Sequence, residues 1–182
     1  MSWDAIGDTA CPIARSLSVI GDRWTLLILR ELAMGSRRFE DFQAQTGMSS
    51  ALLTSRLKRL EADGVIARRK SSGRPTGHDY VVTEKGRDLD PLLMMLRSWG
   101  TRWGGFASKD EPATHMVDRN SGVVLDPHRR VPQIDVDFTL SDVDSSFSPA
   151  FAAERAARKA AFLSRSRRRK AIGTDREDSD HI

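Results

Sequence analysis

Apolar side chains recur along the first hundred residues at the three-and-four spacing of an α-helix. In CPIARSLSVIG, Ile13, Leu17 and Ile20 share one face, with Pro12 suited to a first turn and Gly21 to a stop. Asp22 can cap RWTLLILRELAM, whose Trp24, Leu27, Ile28 and Leu32 predict an apolar stripe ending at Gly35. After the short SRRF come a brief helix, EDFQAQT, and a turn at Gly47. Ser49 then caps SALLTSRLKRLEAD, with Leu53, Leu57 and Leu60 one turn apart and Gly64 at the end. Next, two β-prone runs, VIA and YVV, flank a polar stretch. A long helix is expected from Glu84 to Trp103, where Leu92, Leu96, Trp99 and Trp103 repeat at four, three and four residues.

A short helix, a glycine turn and a second helix make a helix-turn-helix, and a hairpin after it makes the motif winged. The hairpin tip is RRKSSGRPTGHDY, whose Gly73, Pro75 and Gly77 are turn chemistry. It carries Arg68, Arg69, Lys70 and Arg74 with no acid before Asp79, so the wing is expected to be basic. The fold class is α+β: a mostly helical winged helix-turn-helix domain with a β-hairpin wing, plus a C-terminal extension.

Beyond Trp103 the pattern changes. HMVDRNSGVVLD reads as a hairpin around Asn120, Ser121 and Gly122. In DVDFTLSDVD, Val136, Phe138 and Leu140 alternate with polar residues as a half-buried strand would. AFAAERAARKAAFLSRSRRRKA is Ala-rich and basic, the composition of a helix or a disordered tail. Three regions are therefore expected: 1–105 for DNA binding and dimerisation, an acidic β-prone extension 106–149, and a basic tail 150–182. Their net charges are +4, −4 and +4.

With 182 residues, 39% hydrophobic and 30% charged, the chain can bury one good core. Runs such as TLLIL are far short of the ~20 apolar residues of a membrane span, and no export signal is read at the start. One cysteine excludes an internal disulfide and points to a cytoplasmic location. Four scattered histidines offer no zinc-type spacing, and the acids of 135–144 lack an EF-hand glycine, so neither metal nor cofactor is expected. There is no nucleophile–base pair or phosphate loop, which argues against an enzyme.

CPIARSLSVIGDRWTLLILREL, GSRRFEDFQAQTGMSSALLTSRLKRLEADGVIARR, YVVTEKG and SWGTRWG, in this order, resemble the HxlR family of bacterial transcription regulators, from about Cys11 to Trp103. The resemblance implies a homodimer that binds double-stranded operator DNA, joined through its first and last helices. Ile13, Leu17, Leu92, Leu96, Trp99 and Trp103 are the expected dimer contacts. It also implies that Cys11, placed to cap a helix with Arg15 one turn on, senses oxidants or electrophiles. A small-molecule effector is the other expected input. Two positions depart from the family pattern: PTGHDY lacks the usual arginine before its tyrosine, and Ala51 replaces a polar residue.

The residues themselves set the expected DNA contacts. With Leu53, Leu57 and Leu60 inward, Ser50, Thr54, Ser55 and Lys58 face out, with Ser49 at the cap and Arg56 and Arg59 on the flanks. Small hydroxyl side chains approach base edges closely, and cations suit phosphates. Arg37 and Arg38 before the motif, and Arg68, Arg69, Lys70 and Arg74 on the wing, complete the set. The bland alternative for each is a solvated surface charge. The rival reading of the whole is a winged-helix module that binds a protein instead.

Overall fold

The computed structural model describes residues 10–71, 77–105, 111–125 and 139–177, with side chains except at 142 and 167–177. Helix α1 spans Pro12–Ile20, with Cys11 at its N-cap. Asp22 then folds back as expected: its Oδ1 accepts from the backbone N–H of Trp24 at 2.8 Å and of Thr25 at 3.1 Å, which starts α2, Thr25–Ala33. The buried face of α2 is rotated from the expected stripe. Ile28, Leu29 and Leu32 enter the core, while Trp24 and Leu27 stay half-buried. Leu29 therefore replaces Leu27, because Thr25, itself buried, sets the inward side one turn earlier.

Helix α3, Phe39–Thr46, ends at Gly47, whose φ of 72° is the left-handed cap that glycine accepts without strain. Ser49 accepts from the N–H of Leu52 at 3.3 Å and begins α4, Ser50–Ala62. Leu53, Leu57 and Leu60 of α4 are buried with Phe42, Met48, Val65 and Ile66, so one core joins α2, α3, α4 and the hairpin. Each such side chain taken from water stabilises the fold by ~1.5–3 kcal/mol.

Strands β1 (Ile66–Lys70) and β2 (His78–Val82) pair antiparallel, Arg68 opposite Tyr80 and Lys70 opposite His78. The N–H of Tyr80 also donates to the Arg37 carbonyl at 2.8 Å, so the short segment before α3 lies along the outer side of β2. Gly86 sits where a Cβ would stand 2.3 Å from the Val65 carbonyl oxygen, so only glycine lets the chain pass the wing's root.

The single helix expected over 84–103 is two: α5, Glu84–Arg87, and α6, Asp90–Trp103. Pro91 has no N–H to give the Arg87 carbonyl, so the ladder is interrupted before it and resumes with the proline in its first turn. Asp90 is buried at the break, where its Oδ2 accepts from the N–H of Leu140 at 2.8 Å. Burial pushes the Asp90 carboxyl above its ordinary value, against that bond and one from Thr139.

In the extension, the turn expected around Asn120–Gly122 is present: the Asp118 carboxylate accepts from Ser121, and Leu125 N–H donates to Met116 at 2.8 Å. The main partner of β3 (Thr114–Asp118) is instead β4, Val143–Phe147. The strand expected through Val136, Phe138 and Leu140 is corrected at Leu140, which lies in a 3-10 turn, Leu140–Asp142. Val136 and Phe138 lie outside the described residues.

The last helix, α7, runs Pro149–Glu177 and packs across α3. Its anchor is Arg155, which donates to both oxygens of Glu31 at 2.8 and 3.0 Å. Glu31 is 0% exposed and also accepts from Arg30 at 2.7 Å and from Ser36 at 3.1 Å. Arg155 itself lies over the rings of Phe147 and Phe151 at 4.9 and 5.8 Å. Burial alone would raise the Glu31 carboxyl, but the arginine hydrogen bonds and charges outweigh it and hold the group below its ordinary 4.5.

Removing one partner of a buried pair strands the other's charge, at a cost of ~3–5 kcal/mol when nothing compensates. Arg30 and Ser36 remain, so Arg155→Ala is expected to lower unfolding free energy by ~3 kcal/mol at neutral pH in urea titrations. Glu31, depressed when folded, stabilises above its unfolded value, and that share is lost as pH falls through the folded one. The variant should lose less stability on acidification than the wild type. Equal stability at pH 7 would rule out an anchoring role for the pair.

Candidate nucleic-acid interface

Helix α4 stands on its buried leucines, and its opposite side faces solvent. Ser49, Ser50, Thr54, Ser55, Lys58 and Arg59 are all exposed there. Ser50 is tied to α3, accepting from the Gln43 amide at 2.7 Å. That bond links the two helices of the motif above their shared core. Thr54, Ser55 and Lys58 make no side-chain hydrogen bond or ion pair to the described residues, so their polar groups face water.

The structure divides the cations that sequence reasoning grouped together. Arg37 donates to the Leu32 carbonyl at 2.5 Å and to that of Ser36 at 2.9 Å, closing the end of α2. Arg56 turns inward to Asp22, 3.5 Å away, and is only half-exposed. Arg59 bonds Asp63 at 2.9 Å, and Arg68 pairs with Glu61 at 3.0 Å while lying over the Tyr80 ring. These four each have a partner within the fold. Arg38, Lys58, Arg69 and Lys70 are exposed and form no ion pair with the described residues. Arg38 is the N-cap of α3, beside the outer half of the wing, where a groove of about 270 Å³ is lined by Arg38, Arg68, His78 and Tyr80. Arg74 lies outside the described residues.

The exposed hydroxyl side chains are thus on α4, and Arg38 lies against the wing hairpin. The Arg59–Asp63 pair, four residues apart on one helix, was readable from the sequence, whereas Arg56 with Asp22 and Arg68 with Glu61 join different elements and were not. Among the described residues, no cluster of three His, Cys, Asp or Glu is placed to hold a metal. No described helix is long and apolar enough to cross a membrane.

A second surface is apolar. Ile13 is 70% exposed and Trp99 and Trp103 each 64%, with Leu17, Met95 and Leu96 also exposed. Leu92 is half-buried. All lie on α1 and α6. Cys11 is exposed at the N-cap of α1, and its carbonyl accepts from the Arg15 N–H at 3.1 Å.

The chain's relatives agree with this architecture. An HTH-type transcriptional regulator of Mycobacterium tuberculosis is 33% identical over 144 residues, covering 79% of this chain and 90% of that protein. YdeP, an HTH-type transcriptional regulator of Bacillus subtilis, is 33% identical over 110 residues, 60% of this chain and 86% of YdeP. The crystal structure of the transcription factor PA1607 superposes with a TM-score of 0.60 at 35% identity, covering 68% of this chain and 84% of PA1607. The model of the HxlR-like helix-turn-helix family matches residues 19–107, from the end of α1 past the end of α6. With a winged helix-turn-helix built from those same elements, the chain belongs to the HxlR-like helix-turn-helix family of transcriptional regulators.

Proposed function

We propose that this transcriptional regulator acts as a homodimer that occupies a pseudo-palindromic operator, with repression the expected sign. The observation that carries the reading is the solvent-facing side of α4. Thr54, Ser55 and Lys58 point away from the core, and Arg38, Arg69 and Lys70 are exposed cations of the same winged motif. The hydroxyl side chains are assigned to base edges and the cations to phosphates. The bare Ile13, Leu17, Leu96, Trp99 and Trp103 support the homodimer, since apolar faces of this kind mark contact surfaces. Two copies would space their α4 helices by about one helical turn of DNA or a multiple. Cys11, exposed at the start of α1, is the proposed point at which an electrophile or oxidant acts on the dimer.

The alternative, a protein-binding winged helix, has the same helices but no need for salt-dependent affinity. Gel shifts with operator DNA across a salt series separate the two. Lys58→Ala and Arg74→Ala are expected to weaken binding to all sequences alike and flatten the salt dependence, by about one charge for each contact removed. Thr54→Ala is expected to change discrimination at one base pair by ~1–3 kcal/mol. If all three variants bind as the wild type does, this face is not the DNA surface.

For the dimer, sedimentation of Trp99→Asp should give a monomer at micromolar concentration where the wild type is dimeric. A wild-type monomer that still binds a symmetric site tightly would overturn the assignment. For Cys11, treatment with diamide should lower operator affinity in the wild type and leave Cys11→Ser unchanged. Equal responses make the thiol a bystander.

A further inference from the structure

Helix α7 changes character along its length. As far as Lys159 its cations are matched: Arg155 meets Glu31, Arg158 meets Glu154, and Lys159 meets Asp41 at 3.2 Å. Beyond Lys159 come Arg165, Arg167, Arg168, Arg169 and Lys170, with no acid between Glu154 and Asp175. Arg165 is exposed and forms no ion pair with the described residues, and its Nε donates to the Ala161 carbonyl one turn back at 3.2 Å. Like charges three or four residues apart destabilise a helix, and Arg165 stands so to Arg168 and Arg169, as Arg167 does to Lys170. A polyanion bound along this segment removes that repulsion. The described acid side chains of the extension are engaged elsewhere, Glu111 with His115, Asp118 with Ser121 and Asp144 with Arg119.

The contacts on α3 give α7 a direction. The Arg155 carbonyl accepts from the Gln45 amide at 3.2 Å, near the C-terminal end of α3. One turn later Lys159 reaches Asp41, in the first turn of α3. The two helices therefore run in opposite senses, and α7 advances toward the end of α3 that Arg38 caps. In a helix-turn-helix the first helix crosses the DNA backbone, and Arg38 is assigned to phosphate above. Lys159 also offsets Asp41, an acid that would repel phosphate at that end. At ~1.5 Å per residue, the segment 165–170 follows Lys159 by ~9–17 Å, roughly three to five phosphates along one strand.

We propose that the basic segment 165–170 of α7 binds the phosphate backbone of duplex DNA that flanks each half-site. The segment lies outside the family-matched residues 19–107, so the contact is an addition to the winged motif. It rests on the DNA-binding reading above. Phosphate contacts raise affinity without reading sequence, so the flanks are bound whatever their bases. The buried Arg155–Glu31 pair aims the helix and thereby the contact.

The test uses the full chain and a duplex that it selects from a randomised pool, alongside the same duplex trimmed to its two half-sites. Arg165→Gln, Arg167→Gln, Arg168→Gln, Arg169→Gln and Lys170→Gln combined remove the charge and keep good helix formers. This variant is expected to bind the selected duplex at least ~10-fold more weakly, with a salt slope smaller by about two or more, since each phosphate contact contributes ~0.9. On the trimmed duplex it should match the wild type. Its hydroxyl-radical footprint should lose protection outside the half-sites and keep it within them. A second variant with lysine at the four arginine positions should bind as the wild type does, which a merely structural role of these arginines does not give. Wild-type affinity and salt slope in the glutamine variant overturn the flank contact, and so does an equal loss on the trimmed duplex. If Thr54→Ala still changes discrimination in that case, the reading of α4 stands without it. If no duplex is selected, the DNA-binding reading falls and the flank contact with it.

Discussion

Glu31 is an ionised group with no access to water, and the fold is arranged around that fact. A carboxylate taken from water costs several kcal/mol unless its lone pairs are met by donors. Here Arg30 comes from the same helix, Ser36 from the loop after it and Arg155 from 124 residues further along. The third donor is what ties the extension to the DNA-binding motif. Arg155 is in turn held by Phe147 and Phe151, so the rings of β4 and α7 take part in satisfying a charge on α2. Because α7 then crosses α3, meeting Gln45 and Asp41 through Arg158 and Lys159, the first helix of the motif is braced from behind. Its front, and the whole outward side of α4, stays open.

The exposed hydroxyl side chains stand on α4, and the exposed cations on the wing strand and at the start of α3. The exposed tryptophans are on α6, and exposed Ile13 and Leu17 on α1. A pocket of about 380 Å³ lies where α2, α6 and the extension converge. Buried Asp90, bonded to Leu140, fastens the start of α6 to the last part of the extension before β4. Movement of the extension therefore reaches both α2 and α6 through hydrogen-bonded contacts.

The winged motif was legible in the sequence because its determinants are local. Gly47 demands a left-handed turn, Ser49 caps the next helix, and Leu53, Leu57 and Leu60 repeat with the helical period. The division of α5 from α6 was obscured because the stripe from Leu92 to Trp103 is continuous in period, although Pro91 stands in front of it. The anchoring of α7 was not legible, since a helix rich in Ala and Arg looks solvated until its acidic partner is known. One sign was present: Glu31 lies one turn from Ile28 and beside Leu32, on the apolar side of TLLILREL, where a carboxylate requires a cation from elsewhere. Nor could composition divide the cations of α4, because whether Arg56 or Lys58 meets a partner depends on which way the helix turns each. That is set by packing of the whole core, not by neighbours in the chain.

The two small sheets carry a consequence for self-association. A two-stranded sheet has two outer edges, and an open edge is a template for pairing with another chain. Along β2, the Arg37 carbonyl already occupies part of that edge, and along β3 the returning Val124 and Leu125 do the same. The outer edge of β1 carries Arg68, Arg69 and Lys70, and β4 carries Asp144, Ser145 and Ser146. Like charges repel a second β1, and a five-residue strand of acid and serine offers little apolar area to a second β4. Strand addition, the route by which small β-structures polymerise, is thus discouraged at every described edge, which leaves the exposed apolar side chains of the helices α1 and α6 as the faces open to another copy.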